Sequence, residues 1–174
     1  MAARHLKMFG YSPIVLFPKK EAAEKDVAKK LLLQVGKFSV PVVYCLEDFQ
    51  SVHSFSDFAF IIDAIFGYSF SGKQGIREPF NTVISCLKKS ATPIVSIDIP
   101  SGWDVDNVNV DENLEIGLNC QVLVSLPAPK LCASHFKGRH FVGGRFMPQE
   151  LLDQFSIDLP PYKGIDMIQE LVNQ

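Results

Sequence analysis

The segment Phe58–Phe66 (Phe-Ala-Phe-Ile-Ile-Asp-Ala-Ile-Phe) is apolar at every position except Asp63. It shows no alternation, so a strand here has both faces covered, which is the signature of a parallel sheet flanked by helices. It also falls far short of the ~20 residues a helix needs to cross a bilayer. Similar apolar runs recur at Pro13–Phe17, Pro41–Leu46, Pro93–Ile99 and Gln121–Leu126, with a small strand expected around Arg139–Val142. Between them lie segments of helical period. Glu21–Gly36 carries Ala23, Val27, Leu31 and Val35 on one stripe. Glu78–Ser90 has Pro79 in its first turn and Lys88 and Lys89 near its end, where the helix dipole favours cations. Met1–Gly10 reads as the tail of a helix with Ala2, Leu6 and Phe9 at helical spacing and Gly10 as its stop. Pro148–Phe155 reads as a last helix with Leu151 and Leu152 inward, and a short helix is expected after Pro129. Glu47–Asp57 reads as a loop with a helical turn, and the polar stretch Pro100–Leu118 as one long loop. The alternation predicts a three-layer αβα, Rossmann-like domain with a mostly parallel sheet and right-handed crossovers.

Composition narrows the function. The 174 residues suit one domain, and 47% hydrophobic against 21% charged residues excludes disorder for most of the chain. A net charge of -2 and a pI near 6.1, with no basic face, exclude nucleic acid as the main partner. Cys45, Cys86, Cys120 and Cys132 form no C-x-x-C pair. They read as buried free thiols of a reducing compartment. The opening Met1–Lys7 lacks the apolar core of a signal peptide.

In sheets of this kind ligands bind beyond the carboxyl ends of the strands. Asp63 and Asp98 both sit there, each among branched apolar residues. An ionised carboxylate in such surroundings is costly unless it is hydrogen-bonded, paired or bound to a cation. Each is therefore either a cap on the next loop or part of a site. Gly67-Tyr68-Ser69-Phe70-Ser71-Gly72-Lys73-Gln74-Gly75 follows the first of these strands. It reads either as an anion-approaching loop, with Lys73 as a point charge, or as an ordinary connection. Ser101 offers an oxygen to a cation within Pro100-Ser101-Gly102-Trp103, or else this is a plain turn with Trp103 over the core edge. Lys130 points into the same crevice by position, or is a surface lysine at a helix start. His5, His53, His135 and His140 include no i,i+4 pair, and no G-x-S-x-G elbow is present.

Taken in order, several segments resemble the NAD(P)H-hydrate epimerase family, whose members carry the YjeF N-terminal domain and include apolipoprotein A-I-binding protein. They are Asp63-Ala-Ile-Phe-Gly-Tyr-Ser-Phe, Arg77-Glu-Pro-Phe, Ser96-Ile-Asp-Ile-Pro-Ser-Gly-Trp-Asp, Ala128-Pro-Lys, Gly143-Gly-Arg-Phe and Leu159-Pro-Pro-Tyr. The likeness runs to about Tyr162, so a domain of 1–162 and a tail of 163–174 are expected. The resemblance implies an epimerase that interconverts the two forms of hydrated NADH or NADPH, with one potassium ion. By resemblance, Asp63 and Ser101 are potassium ligands, while Asp98 and Gly67–Lys73 bind the hydrate. The chemistry then gives Asp98 acid/base work or the orientation of a water. A homodimer, an apolipoprotein A-I-like partner and a cytoplasmic or mitochondrial location are also compatible with the family.

Two departures qualify that expectation. The family's Asn-Asn-Gly-Gly-Asp-Gly loop precedes the helix with which this sequence opens. The expected domain thus lacks an N-terminal helix and first strand. The loop Gly67–Gly75 is also longer than the usual form. The alternative is accordingly a non-catalytic binding or scaffold protein on the same fold.

Overall fold

The computed structural model describes residues 1–71, 75–159 and 161–171. Its contacts divide the chain into two units, Met1–Asp57 and Phe58–Gln174. The architecture is the expected mixed α/β fold, with a mostly parallel five-stranded sheet flanked by helices.

In the first unit, α1 (Ala2–Met8) precedes β1 (Val15–Leu16), a 3-10 turn (Lys20–Glu24), α2 (Asp26–Lys37), β2 (Val42–Val43), α3 (Leu46–Val52) and a 3-10 turn at Phe55–Asp57. β1 and β2 pair in parallel, with Val15 opposite Val42, and α2 is their crossover. The single helix expected over Glu21–Gly36 is broken. Lys25 is extended, at φ -63 and ψ 136, and a new helix starts at Asp26. An aspartate in the first turn complements the helix dipole, and Asp26 also accepts a hydrogen bond from Lys30 Nζ at 2.8 Å. The restart moves Val27 out of the expected stripe to 69% exposure, while Val35 stays buried. Phe9, at helical spacing with Ala2 and Leu6, is exposed. The Cys45 sulfur caps α3 by accepting from Asp48 N.

The second unit runs β3 (Ile61–Asp63), α4 (Phe80–Lys89), β4 (Ile94–Ile97), α5 (Val110–Ile116), β5 (Val122–Ser125), a 3-10 turn (Leu131–Ala133), β6 (Arg139–Val142), α6 (Gln149–Gln154) and β7 (Gln169–Leu171). The strands lie in that order, with β3 to β6 parallel and β7 antiparallel to β6. Period-two burial is clear: Ile94, Ser96, Leu123, Ser125, His140 and Val142 are buried, and Val95, Ile97, Val122, Val124 and Phe141 half-buried. The register puts Asp63, Ser96, Leu123 and His140 in one row across four strands. Helix α4 buries Val83, Ile84 and Leu87. Its Lys88 Nζ donates to the Leu114 and Glu115 carbonyls, satisfying orphan acceptors at the end of α5.

Four features of this unit were not expected. Helix α5 lies inside the stretch read as a loop; Asn109 Oδ1 caps it by accepting from Asp111 N and Glu112 N. Strand β7 lies within the segment read as a tail, where Glu170 meets the Arg139 guanidinium of β6 at 2.8 Å. Leu151, read as inward, is 37% exposed. Trp103 is fully buried, with Nε1 donating to the Leu118 carbonyl at 2.9 Å, so it fills the core rather than covering its edge. All four cysteines are free; Cys120 and Cys132 are buried, Cys45 and Cys86 half-buried.

Two outcomes test this packing. Gly102 has φ +97, and a Cβ there would lie 2.6 Å from the Gly117 Cα, a backbone atom. Gly102→Ala should therefore cost well over ~2 kcal/mol in urea unfolding, whereas Gly75→Ala, with φ +68 and open space, should cost about 1 kcal/mol. His140 hydrogen-bonds Ser125 Oγ at 2.8 Å, and burial, reinforced by the Lys130 charge, pushes its imidazole below the usual range. A base with a depressed folded value stabilises fully above its unfolded value of ~6.5 and loses that contribution as pH falls below it. Stability should drop on acidification through that window, and His140→Gln should flatten the drop in a pH series of melting curves.

Candidate active site

The last residue of β3 is Asp63, whose side chain is buried. Its carboxylate accepts four hydrogen bonds. Oδ2 accepts from Ser96 Oγ and from Ser101 N, each at 2.8 Å. Oδ1 accepts from Ser101 Oγ at 2.5 Å and from Ile65 N at 3.3 Å. Burial pushes this carboxyl above the usual range, and the hydrogen bonds from Ser101, Ser96 and Ile65 pull the other way. Among the described residues it has no ion-pair partner. Ser101 Oγ in turn accepts from Phe66 N at 3.0 Å. Asp63 thus caps its own following loop and fixes the loop after β4.

Asp98 stands just past the end of β4 with φ +75, the left-handed region that an aspartate tolerates better than a branched residue does. Its own N–H still donates to the Val124 carbonyl of β5 at 2.8 Å. Oδ2 accepts from Tyr68 N at 2.8 Å. Oδ1 accepts from the Lys130 ammonium, which also donates to the Leu126 carbonyl. Both side chains are largely covered, at 16% exposure for Asp98 and 15% for Lys130. Gly67 lies against this carboxylate: a Cβ there would sit 3.0 Å from Asp98 Oδ2.

The two carboxylates therefore grip one short loop, Asp63 at Ile65 and Asp98 at Tyr68, with Ser101 holding Phe66 between them. That brings Asp63, Asp98, Ser101, Gly67, Tyr68 and Lys130 together at the carboxyl ends of β3, β4 and β5. The loop differs from an anion cradle in one respect. The N–H groups of Ile65, Phe66 and Tyr68 are engaged by side chains, and that of Phe70 by the Gly67 carbonyl. Phe70 stacks on Phe66 at 4.4 Å between centroids, closing the turn from the apolar side. The Tyr68 side chain is 71% exposed, and Ser69 and Ser71 are exposed. Gly72 and Lys73 lie outside the described residues.

Sequence reasoning missed Ser96 and the Leu126 carbonyl. The first had a signal, a hydroxyl at the centre of an apolar strand, but only the register opposite Asp63 gives it a role. The second had none, because a backbone carbonyl is invisible in side-chain patterns. Cavities of about 770 and 220 Å³ lie elsewhere, the larger at the amino ends of β5 and β6 beside Asn119, Gln121 and Lys137. The carboxyl-end cluster is marked by its chemistry instead: two inward carboxylates, an ammonium and two hydroxyls.

The family model described as YjeF-related protein N-terminus matches residues 1–132. A Fusarium vanettenii protein named NAD(P)H-hydrate epimerase is 42% identical over 171 residues, covering 98% of this chain and 69% of the relative. A protein of the same name from Schizosaccharomyces pombe is 34% identical over 174 residues, covering 100% and 70%. A yeast protein of known crystal structure superposes with a TM-score of 0.85 at 40% identity, over 98% of this chain and 70% of that one. On this sequence match and shared fold, the chain belongs to the YjeF-related N-terminal domain family.

Proposed function

We propose that the chain is an NAD(P)H-hydrate epimerase, interconverting the R and S forms of hydrated NADH or NADPH at the carboxyl ends of β3, β4 and β5. The observation that carries this reading is the agreement between the relatives' shared name and the Asp63–Ser101–Asp98–Lys130 cluster. The relatives' shared name favours this reading over a non-catalytic scaffold on the same fold.

The reaction inverts a ring carbon that bears a hydroxyl. It needs a proton for the departing oxygen and an acceptor for the proton of the water that returns on the other face. The ring nitrogen lone pair stabilises the cation between those events. Asp98 has the position for the acid/base work, because the strained backbone and the Tyr68 N–H fix where its carboxylate points. Gly67 to Ser71, with Lys130, would line the bound hydrate, and the absence of a Cβ at Gly67 lets the loop lie close to Asp98. Gly72 and Lys73 belong to the same proposed binding segment.

Asp63 and Ser101 supply the oxygen donors that a hard monovalent cation takes, potassium by the family resemblance, and because Asp63 already accepts four hydrogen bonds, an ion there would replace one or more of them. Their donors are all oxygen, and Asp63 is buried with no cationic side chain paired to it among the described residues. The Asp63 carboxylate and Ser101 Oγ would hold the ion. Bound there, it would supply a fixed positive charge for the anionic parts of the ligand. No helix among the described residues is long and apolar enough to cross a membrane.

Two measurements test the reading. With a mixture of hydrate epimers and a dehydratase that consumes only one of them, the chain should accelerate consumption of the other. Asp98→Asn should lower that rate by about 10²–10⁴ and still fold, because asparagine tolerates the same backbone and keeps an oxygen acceptor for the Lys130 ammonium. A variant at full rate removes Asp98 from the mechanism. Potassium chloride, against an equal ionic strength of lithium chloride, should raise the melting temperature of the wild-type chain by mass action. Asp63→Asn should abolish that increment, and an unchanged increment would remove Asp63 as a ligand.

A further inference from the structure

The cluster holds several acceptors and few transferable protons. Both oxygens of Asp63 accept, and the hydroxyl protons of Ser96 and Ser101 are directed at them. Both oxygens of Asp98 accept as well. An ammonium carries three N–H donors and no acceptor. Lys130 spends two, on Asp98 Oδ1 and the Leu126 carbonyl. Its third has no protein acceptor among the described residues. Two other titratable groups lie near it. Burial pushes the Cys132 thiol up to about 11. Burial, with the Lys130 charge, pushes the His140 imidazole down, and His140 is hydrogen-bonded to Ser125. Cys132 is fully buried and His140 nearly so, whereas Lys130 keeps 15% exposure at the mouth of the cluster.

We propose that Lys130 is the general acid of the epimerisation and Asp98 its base, and that their direct contact returns the proton between turnovers. This rests on the epimerase reading above. The reaction needs an acid on the face the hydroxyl leaves and a base on the face water enters, so the contacting pair would straddle the hydroxyl-bearing edge of the ring. The carbon–oxygen bond breaks with its electron pair on oxygen, and that oxygen takes the Lys130 proton and leaves as water. The ring nitrogen lone pair forms the carbon–nitrogen double bond, leaving a cationic ring and a neutral amine. Water then bonds to the same carbon from the opposite face, the double-bond pair returns to nitrogen, and the surplus proton goes to Asp98. The Asp98 carboxylic acid passes that proton to the Lys130 amine along the existing hydrogen bond. No proton is gained or lost, and running the steps backward with the same two groups inverts the other epimer. A lysine that only attracted substrate phosphate would not need its ammonium bonded to the carboxylate that aims at the reaction.

The test compares wild type, Lys130→Arg and Lys130→Ala in the dehydratase-coupled assay with hydrated NADPH. Arginine keeps the charge and the contact with Asp98 but does not release a proton in proteins. Lys130→Arg should keep KM within about threefold and lose kcat by 10²-fold or more. Lys130→Ala should be equally slow, and methylammonium should restore part of its rate in proportion to concentration. The Ala rescue decides the matter where the Arg variant melts early. Lys130→Arg with kcat within threefold of wild type, or Lys130→Ala unaffected by added amine, overturns the assignment and leaves the epimerase reading standing. A folded wild-type chain without turnover overturns both.

Discussion

A carboxylate shut away from water at the end of β3 organises the rest of this site. An isolated ionised carboxylate in apolar surroundings is costly, so its burial is tolerated only with donors around it. Asp63 has four, from Ser96 on β4, from the backbone and hydroxyl of Ser101 after β4, and from Ile65 after β3. The four donors come from three places in the chain's path, so one side chain fixes the departure of two loops. Removing it would leave those donors unpaired, at about 1–3 kcal/mol for each buried one. The loop after β3 then carries Gly67 and Tyr68 to Asp98, and the loop after β4 carries Gly102 and Trp103 into the core.

The legibility of this arrangement in the sequence followed chemistry more than position. Asp63 and Asp98 stood out because a carboxylate in a run of branched residues violates the pattern around it, and such violations concentrate at functional sites. Ser96 violates the same pattern more quietly. It gains meaning only from the parallel register that sets it opposite Asp63, and register is not a local property. Lys130 was placed by its position after a strand, and its partners were not readable, because Leu126 contributes only a carbonyl.

The misread elements share a cause of their own. Helix α5 is short and polar, and its start depends on the Asn109 side chain reaching Asp111 and Glu112, a cap hidden among other turn-forming residues. The break at Lys25 involves neither proline nor glycine; the stripe of apolar residues continued through it, and the restart at Asp26 exposed Val27. Strand β7 is three residues of mixed polarity, and it exists through its ladder with β6 and the Arg139–Glu170 pair. Pairing at that separation overrides local propensity in either direction.

The glycine-containing loop shows why the type of residue underdetermines its use. Glycine after a strand suggests backbone amides turned toward an anion. Here the amides of Ile65, Phe66 and Tyr68 turn toward the protein's own Asp63, Ser101 and Asp98. Gly67 instead serves close approach, since any side chain there would press on the Asp98 carboxylate. The same contact explains why Asp98 adopts a left-handed backbone that most residues avoid. The turn of the chain brings one oxygen to Tyr68 N and the other to the Lys130 ammonium, and an extended Asp98 would direct its side chain elsewhere. Strain at Asp98, the missing Cβ at Gly67 and the buried capping at Asp63 are thus three parts of one constraint. It holds a carboxylate and an ammonium in contact at the carboxyl ends of the strands.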